Sequence, residues 1–468
     1  MKRLFRLLLI ISVVSLAACK KTPQVDNGAS VLQRFAFNCS DNNGFIRDAV
    51  AIQENSHLFI TVQEDADLTR LVPDIRVVDG AKVYIDNVLY EKGKEYDFSG
   101  NSQTITVVLE NGNKKMFFVQ LRKGDADIDN LVYDYMRKYS VPAVSISYAH
   151  HEHEAYTAAY GYPVWDYSWR CTPETLFRIA GVSQSLCAIC IMTCKENGLL
   201  SLDDTAIGPG GILECQNTSF DKIKVKHLLS HCSGLNDSDI RNNDFSVNAF
   251  VAAMGNNSLY DILKFDNPGE SFLYSEYGYG ILQRIVEVVS HKPYAEYLDW
   301  VMAMAGIRSI QVGENSKAEV GGKECVYYAY DIDENPYMID VSDKGGAIGV
   351  IATPRDLTRL LMSIDSGTAV PDILSPESVG EMFSPFPYLS GYPKYGYGWY
   401  SDRTASLKNA YYNYATMSGS TALCAIFPET GICASLTCNY SYPNNLLPFR
   451  EDTEHLFAAI ADIINRQY

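Results

Sequence analysis

The 468-residue chain exceeds what one hydrophobic core usually organises, so two domains are expected once any targeting segment is removed. At 47% hydrophobic and 20% charged it has a globular composition. With 39 basic against 56 acidic side chains its formal net charge is −17, which excludes the basic footprint of a nucleic-acid binder.

In chain order, the first element is "MKRLFRLLLIISVVSLAACKK", in which Lys2, Arg3 and Arg6 precede an apolar run from Leu7 to Val14 and then small residues up to Cys19. The run is too short to cross a bilayer and has the order of a secretory signal over residues 1–18. Its "LAAC" ending resembles a bacterial lipoprotein box, in which the cysteine is lipidated and becomes the mature N-terminus. Cys19 is therefore the expected lipid attachment residue, at the head of a linker over 19–30. Loss of the signal removes three basic residues and no acid, leaving the mature chain near −20. No later segment has eighteen uninterrupted apolar residues, so the lipid is the only membrane attachment expected. The expected location is the bacterial cell envelope, anchored in the outer membrane and facing the periplasm or the surface.

Residues 31–123 carry short β-rich runs, "RFAFNC", "LFITVQ", "DIRVV", "AKVYID", "QTITVVLE" and "KMFFVQLR", separated by turn residues such as those at Asp79 and Asn111. The pattern predicts a sandwich of two small sheets. It resembles the Ig-like modules that follow the lipid anchor in envelope lipoproteins of the Bacteroidota. No cluster of ionisable residues marks a site here, so the module reads as a spacer or docking element.

From residue 124 the texture changes to a mixed α+β pattern that runs to 468. Ile128, Leu131, Val132, Tyr135 and Met136 recur at helical spacing, and Pro142 opens a strand. "HHEH", His150 to His153, lies between two strand-like runs and reads as a solvated hairpin turn, not a metal site. Cys187, Cys190 and Cys194 sit at i, i+3 and i+7, the spacing of one apolar helix face, so they read as core. Setting Cys19 aside, eleven cysteines remain, and an odd number leaves at least one thiol unpaired. No metal and no cofactor are expected.

Several segments in this domain carry a resemblance. "LFRIAGVSQSLCAICI", "GLLSLDD", "VKHLLSHCSGL", "PGESFLYSEYGYGILQRIVEVVS", "DKGGAIGVIATPRDLTRLL", "YGYGW" and "TMSGSTALCAIFPETGICASLTCN" are similar, in that order, to landmarks of the serine β-lactamase and DD-peptidase (penicillin-binding) superfamily, especially its class C-like members. The resemblance spans roughly Ile128 to Tyr468 and implies a β-lactamase/transpeptidase-like fold, an antiparallel sheet flanked by helices with a helical subdomain. It also implies a serine nucleophile with a lysine three residues on, brought to one helical face by about 300° of turn.

Alignment of the motif places Gly181 at the serine and Gln184 at the lysine. Glycine has nothing to acylate, and an amide does not accept a proton near neutral pH. Ser183 lies about 200° around the helix from Gly181, and Ser185 has Ala188 at its own +3. Ser219 with Lys222 has the right spacing, but in a loop-like stretch. The second motif becomes Tyr274, Ser275 and Glu276, keeping the tyrosine that serves class C-like members as a base and replacing asparagine with an acid. The third becomes Met417, Ser418 and Gly419, so a thioether stands where a cation would hold a substrate carboxylate.

What the resemblance leaves is a recess: backbone N–H groups at Gly181 and Ser420, walled by Gln184, Tyr274, Glu276, Met417 and Ser418. Glu276 repels carboxylates, so a neutral or cationic ligand is expected, a peptide, a cell-wall fragment or a protein partner. The reading is a catalytically degenerate, lipid-anchored binding protein. Its rivals are an active esterase, peptidase or β-lactamase that uses Tyr274 with a non-standard nucleophile, and a structural role in a surface assembly.

Mature protein taken from membranes is expected to carry its lipid on Cys19. Mass spectrometry of the N-terminal peptide checks this, and an unmodified Cys19 thiol would refute it.

Overall fold

In the strand Gln103–Val108 every second residue is buried, which is the period of a sheet with one face on a core. The neighbouring Lys114–Lys123 turns Phe117 and Val119 the same way. The computed structural model describes residues 31–467 except 44, 46–47, 55, 64–65, 101–102, 165–168, 238–245, 256–262, 264–266, 315–322, 331–334, 388–393, 402–403 and 443–446. The signal segment, the linker over 19–30 and the expected attachment at Cys19 lie outside the described residues. The chain divides into two units, Met1–Ala126 and Asp127–Tyr468.

The first unit is built of two sheets. Leu32–Phe37 is flanked by Ala49–Val50 and Pro73–Val77 in one. The other has six strands, in the order Ile52–Glu54, His57–Val62, Lys114–Lys123, Gln103–Val108, Lys82–Ile85, Val88–Leu89. Its one parallel pairing joins His57–Val62 to Lys114–Lys123. Phe35, Phe37 and Phe98 interlock in the core, with Phe37 and Phe98 edge to face at 5.1 Å. All six runs read from the sequence hold a strand. Ala49–Val50, Ile52–Glu54 and Val88–Leu89 are additional, and two or three residues are too few to show a period.

The second unit is centred on a seven-stranded antiparallel sheet, ordered His153–Gly161, Ala143–His150, Ile432–Cys438, Ser420–Phe427, Tyr411–Met417, Tyr400–Ser401, Lys394–Tyr395. Ile432–Cys438 is buried along its whole length because helices cover both faces, Pro354–Met362 on one and Leu447–Gln467 on the other. Thr358 Oγ1 donates to the Ser147 carbonyl on the first face, and the Tyr148 hydroxyl donates to the Phe457 carbonyl on the second. Adjacent residues of one strand thus serve opposite helices. His150 to His153 form the hairpin turn between the first two strands, with His151 and Glu152 at positive φ.

Beside the sheet lies the helix Val182–Glu196, buried from Val182 to Cys194 against the helices Glu276–Ser290, Tyr294–Met304 and Pro376–Phe383 and the strands Tyr411–Met417 and Ser420–Phe427. Cys187, Cys190 and Cys194 are core residues of this helix. Among the described residues no group of three or more His, Cys, Asp or Glu is placed to hold a metal ion. A helix buried all round must find partners for each of its polar side chains, and those of Ser183, Gln184 and Ser185 lead to the site.

Gly161 closes the strand His153–Gly161 at φ 74°, and a Cβ there would stand 2.1 Å from the Pro142 carbonyl oxygen. Backbone cannot yield as a side chain tip can, so Gly161→Ala is expected to cost about 2–3 kcal/mol, read from the urea unfolding midpoint.

Candidate functional site

The strand Phe177–Arg178 pairs with Val350–Ala352 and leads directly into the buried helix. Ala180 turns the chain at φ 48°, a backbone that disfavours any side chain. The amides of Val182, Ser183 and Gln184 then donate to the carbonyls of Ile179, Ala180 and Gly181, so the first-turn donors are consumed locally. Gly181 has φ −64° and ψ −5°, an ordinary helical backbone. Its missing side chain therefore serves no conformational need. A Cβ there would meet the Ala415 Cβ and the Tyr274 hydroxyl, each at 3.3 Å, so position 181 faces the tyrosine of the second motif.

Gln184 is buried and joins two residues that the sequence keeps far apart. Its Nε2 donates to the Tyr274 hydroxyl at 2.7 Å, and its Oε1 lies 3.2 Å from Nε2 of His231. The polarity of this chain follows from one bond further on, where the Ser275 amide donates to Nδ1 of His231 at 3.2 Å. With Nδ1 accepting, the neutral ring must carry its proton on Nε2 and donate it to Gln184. The reverse amide orientation would need a ring accepting at both nitrogens, which is an imidazolate. Proton donation thus runs from His231 to Gln184 to Tyr274.

His231 is kept neutral by its surroundings. Burial lowers its pKa to about 3, and the rings of Tyr274, Phe272, Tyr279 and Tyr395 lie 4.5 to 5.6 Å from its own. Tyr274, as acceptor from Gln184, has its own proton to donate elsewhere. Within this chain of bonds the tyrosine is thus arranged as a donor.

The two other serines of the helix are used structurally. Ser183 Oγ accepts from the Val350 amide at 3.1 Å, and Ser185 Oγ donates to the Gly398 carbonyl at 2.7 Å. Asn413 Nδ2 reaches the Gly181 carbonyl, Ser185 Oγ and the Gly398 carbonyl at 3.0 to 3.3 Å. Neither serine is presented beside Tyr274. Ser219 and Lys222 are both exposed at the turn Thr218–Phe220.

The second motif forms a helix start. Ser275 caps Glu276–Ser290, its Oγ accepting from the Gly278 amide, and Asp237 accepts from Ser275 Oγ at 2.7 Å and from the amides of Glu276 and Tyr277. Glu276 is the first residue of that helix and half-buried, so this end of the site carries two carboxylates.

In the third motif Met417 pairs with Ser420 across the hairpin turn of Ser418 and Gly419. Met417 is half-buried, and Ser418 Oγ is buried without a hydrogen-bond partner among the described residues. Gly419 has φ 77°, and a Cβ on it would stand 2.7 Å from the Tyr327 Cβ. Ser420 Oγ donates to the Arg178 carbonyl, so its hydroxyl is turned to the strand before Gly181 and only its backbone remains for the recess. Arg178 itself is fully buried, between the rings of Tyr327 and Tyr337 at 4.7 and 5.2 Å, and donates to the Pro336 carbonyl. The Tyr327 hydroxyl accepts the Arg178 amide at 2.8 Å and donates to Glu324 at 2.6 Å. Burial raises the Glu324 pKa.

The structure thus brings Gly181, Gln184 and Tyr274 together, with Glu276 and the turn from Met417 to Ser420 on the elements around them. His231, Asp237 and Asn413 were not among the residues expected from the sequence. His231 lies inside the quoted "VKHLLSHCSGL", which was the available signal, but its bond to Ser275 spans 44 positions.

A family model described as Beta-lactamase matches residues 128–459. A penicillin-binding protein of Bacillus subtilis (strain 168) is 25% identical over 244 residues, 48% of this chain and 52% of that protein. Protein flp of Staphylococcus aureus (strain N315) is 26% identical over 209 residues, 42% of this chain and 41% of its own length. The chain spans about half the length of these relatives or less. Among solved structures, a D-amino acid amidase from Ochrobactrum anthropi SV3 superposes with a TM-score of 0.59 at 21% identity, covering 72% of this chain and 99% of that one. A penicillin-binding protein homologue from Pyrococcus abyssi gives 0.57 at 23%, covering 72% and 77%.

His231 binds a proton far more readily unfolded than folded, so its contribution to stability is complete above about pH 6.5 and is lost as the pH falls toward 3. His231→Gln is expected to flatten the acid limb of the stability curve by up to about 1.4 kcal/mol per pH unit in that window. Urea midpoints of both proteins at several pH values check this. His227, lowered to about 4, titrates in both and cancels in the comparison.

Proposed function

The chain belongs to the Beta-lactamase family, and from that premise we propose that it is a catalytically degenerate member that acts by binding. In this reading it is a cell-envelope lipoprotein, anchored through Cys19, with an Ig-like spacer ahead of the β-lactamase-related domain. A peptide, cell-wall fragment or protein partner occupies the cleft beside Gly181.

The observation that carries the reading is the neutral chain from His231 through Gln184 to Tyr274. A serine and lysine at positions 181 and 184 would supply a nucleophile and a proton relay. Here position 181 supplies no atom and position 184 an amide held at both ends. Removal of a serine nucleophile costs about 10⁶ in kcat, or ~8 kcal/mol of barrier, and the hydroxyls of Ser183 and Ser185 are engaged at Val350 and Gly398.

The charges around the cleft support a class of ligand. Glu276, Asp237 and the thioether of Met417 give no counter-charge to a carboxylate, which favours a neutral or cationic group over a β-lactam-like acid.

Fluorophosphonate and fluorescent penicillin are expected to leave the purified protein unlabelled, and p-nitrophenyl acetate to hydrolyse at the buffer rate. Gly181→Ser with Gln184→Lys is expected to give slow acylation by the neutral ester and little by penicillin, at reduced stability, because the new ammonium would face the Nε2 proton of His231. Labelling of a wild-type serine, or ester hydrolysis above buffer that Tyr274→Phe abolishes, would make the domain a hydrolase with a non-standard nucleophile and overturn the binding reading.

A further inference from the structure

Away from Gln184 and Tyr274, two buried cysteines face into one small core. Four backbone hydrogen bonds close a ring of chain around it: Cys171 N to the Gly161 carbonyl, Val326 N to that of Pro163, Cys325 N to that of Leu176, and Thr175 N to that of Thr172, at 2.9 to 3.2 Å. Inside the ring Ala143, Cys171, Phe177, Cys325 and Tyr327 pack as a single cluster, with Cys171 8% exposed and Cys325 fully buried. Three other buried thiols have hydrogen-bond partners elsewhere in the fold. Cys194 meets the Tyr297 hydroxyl at 3.3 Å, Cys232 meets Ser230 Oγ at 3.0 Å, and Cys438 donates to the Tyr440 carbonyl at 3.5 Å. Cys171 and Cys325 are both free thiols here, and Cys171 Sγ lies 4.0 Å from the Thr172 carbonyl, the limit of a sulfur hydrogen bond.

We propose that Cys171 and Cys325 are a disulfide site, oxidised while the chain folds. The oxidant is a disulfide such as glutathione disulfide. The Cys171 thiolate attacks one of its sulfurs and expels one glutathione thiolate, and Cys325, losing its proton, then attacks the Cys171 sulfur and expels the second. Two protein thiols lose two electrons and two protons, and the glutathione disulfide gains both as two thiols.

Timing follows from burial. In the folded chain burial pushes the Cys171 thiol up to about 12 and Cys325 well above its usual range, so native thiols are poor nucleophiles. Exchange therefore belongs to the folding chain, and the completed bond is shielded from reductant. The bond closes a loop of roughly 150 residues, long enough for a large effect on the unfolded ensemble. It also ties down the segment carrying Tyr327, which holds the Arg178 amide and packs under Gly419.

The test is refolding of the full-length mature chain in a glutathione redox buffer, alkylation of remaining thiols under denaturing conditions, and peptide mapping without reductant. The expected result is one dominant cross-link joining the Cys171 and Cys325 peptides, the other cysteines being alkylated. The wild type should melt several degrees above Cys171→Ala, with the gap abolished when both are refolded with dithiothreitol. Alkylation of both residues in protein refolded with native circular dichroism, a cross-link from either to another cysteine, or a reductant effect equal in Cys171→Ala would overturn the proposal. None of these outcomes bears on whether the cleft hydrolyses or binds.

Discussion

The amide of Ser275 can only donate, and in donating to Nδ1 of His231 it orders every hydrogen bond that follows. The imidazole is left one proton to give, Gln184 one orientation to receive it, and Tyr274 one lone pair to complete the line. A backbone group cannot change its protonation state. The site is thus committed to a neutral, one-way arrangement by the part of the chain least able to vary. Asp237 extends the same logic on the other side of Ser275, holding the hydroxyl and amides of the helix start.

Burial makes that arrangement stringent. The helix Val182–Glu196 has no solvent-facing stripe along its first thirteen residues, so Ser183, Gln184 and Ser185 each need an internal partner. They find them at four separate places: the strand Val350–Ala352, His231, Tyr274 and the loop at Gly398. An unpaired buried polar group costs about 1–3 kcal/mol, so the four bonds together fix how the helix sits against the sheet. Asn413 adds a further tie from the sheet side.

Much of the architecture was readable because it is local or repetitive. The helix Ala126–Tyr139, the hairpin at His150 to His153 and the six principal strands of the first unit follow from period and turn chemistry. The triple-cysteine face resolved as core for the same reason. Similarity to the family placed Gly181, Gln184 and Tyr274 near one another before any geometry was known. The partners were not readable. Asn413 acts on a residue 228 positions away, and the role of His231 depends on which of its nitrogens a distant amide reaches. Sequence spacing carries no record of either. The hydroxyl of Ser420 shows the limit most directly: its position in the motif was legible, while its direction, onto the Arg178 carbonyl, was set by packing.

Ala180 and Gly181 invert the usual division of labour between alanine and glycine. The residue with a side chain takes the left-handed backbone at φ 48°, and the residue without one takes a helical backbone that any amino acid adopts. The bend that launches the helix is therefore independent of what position 181 carries. A side chain at position 181 needs no other backbone there, only that Ala415 and Tyr274 give by a few tenths of an ångström, so the path of the main chain is set apart from what the position carries. A fold organised in this way can be emptied of its reaction, or refilled with another, by substitutions that leave its skeleton in place.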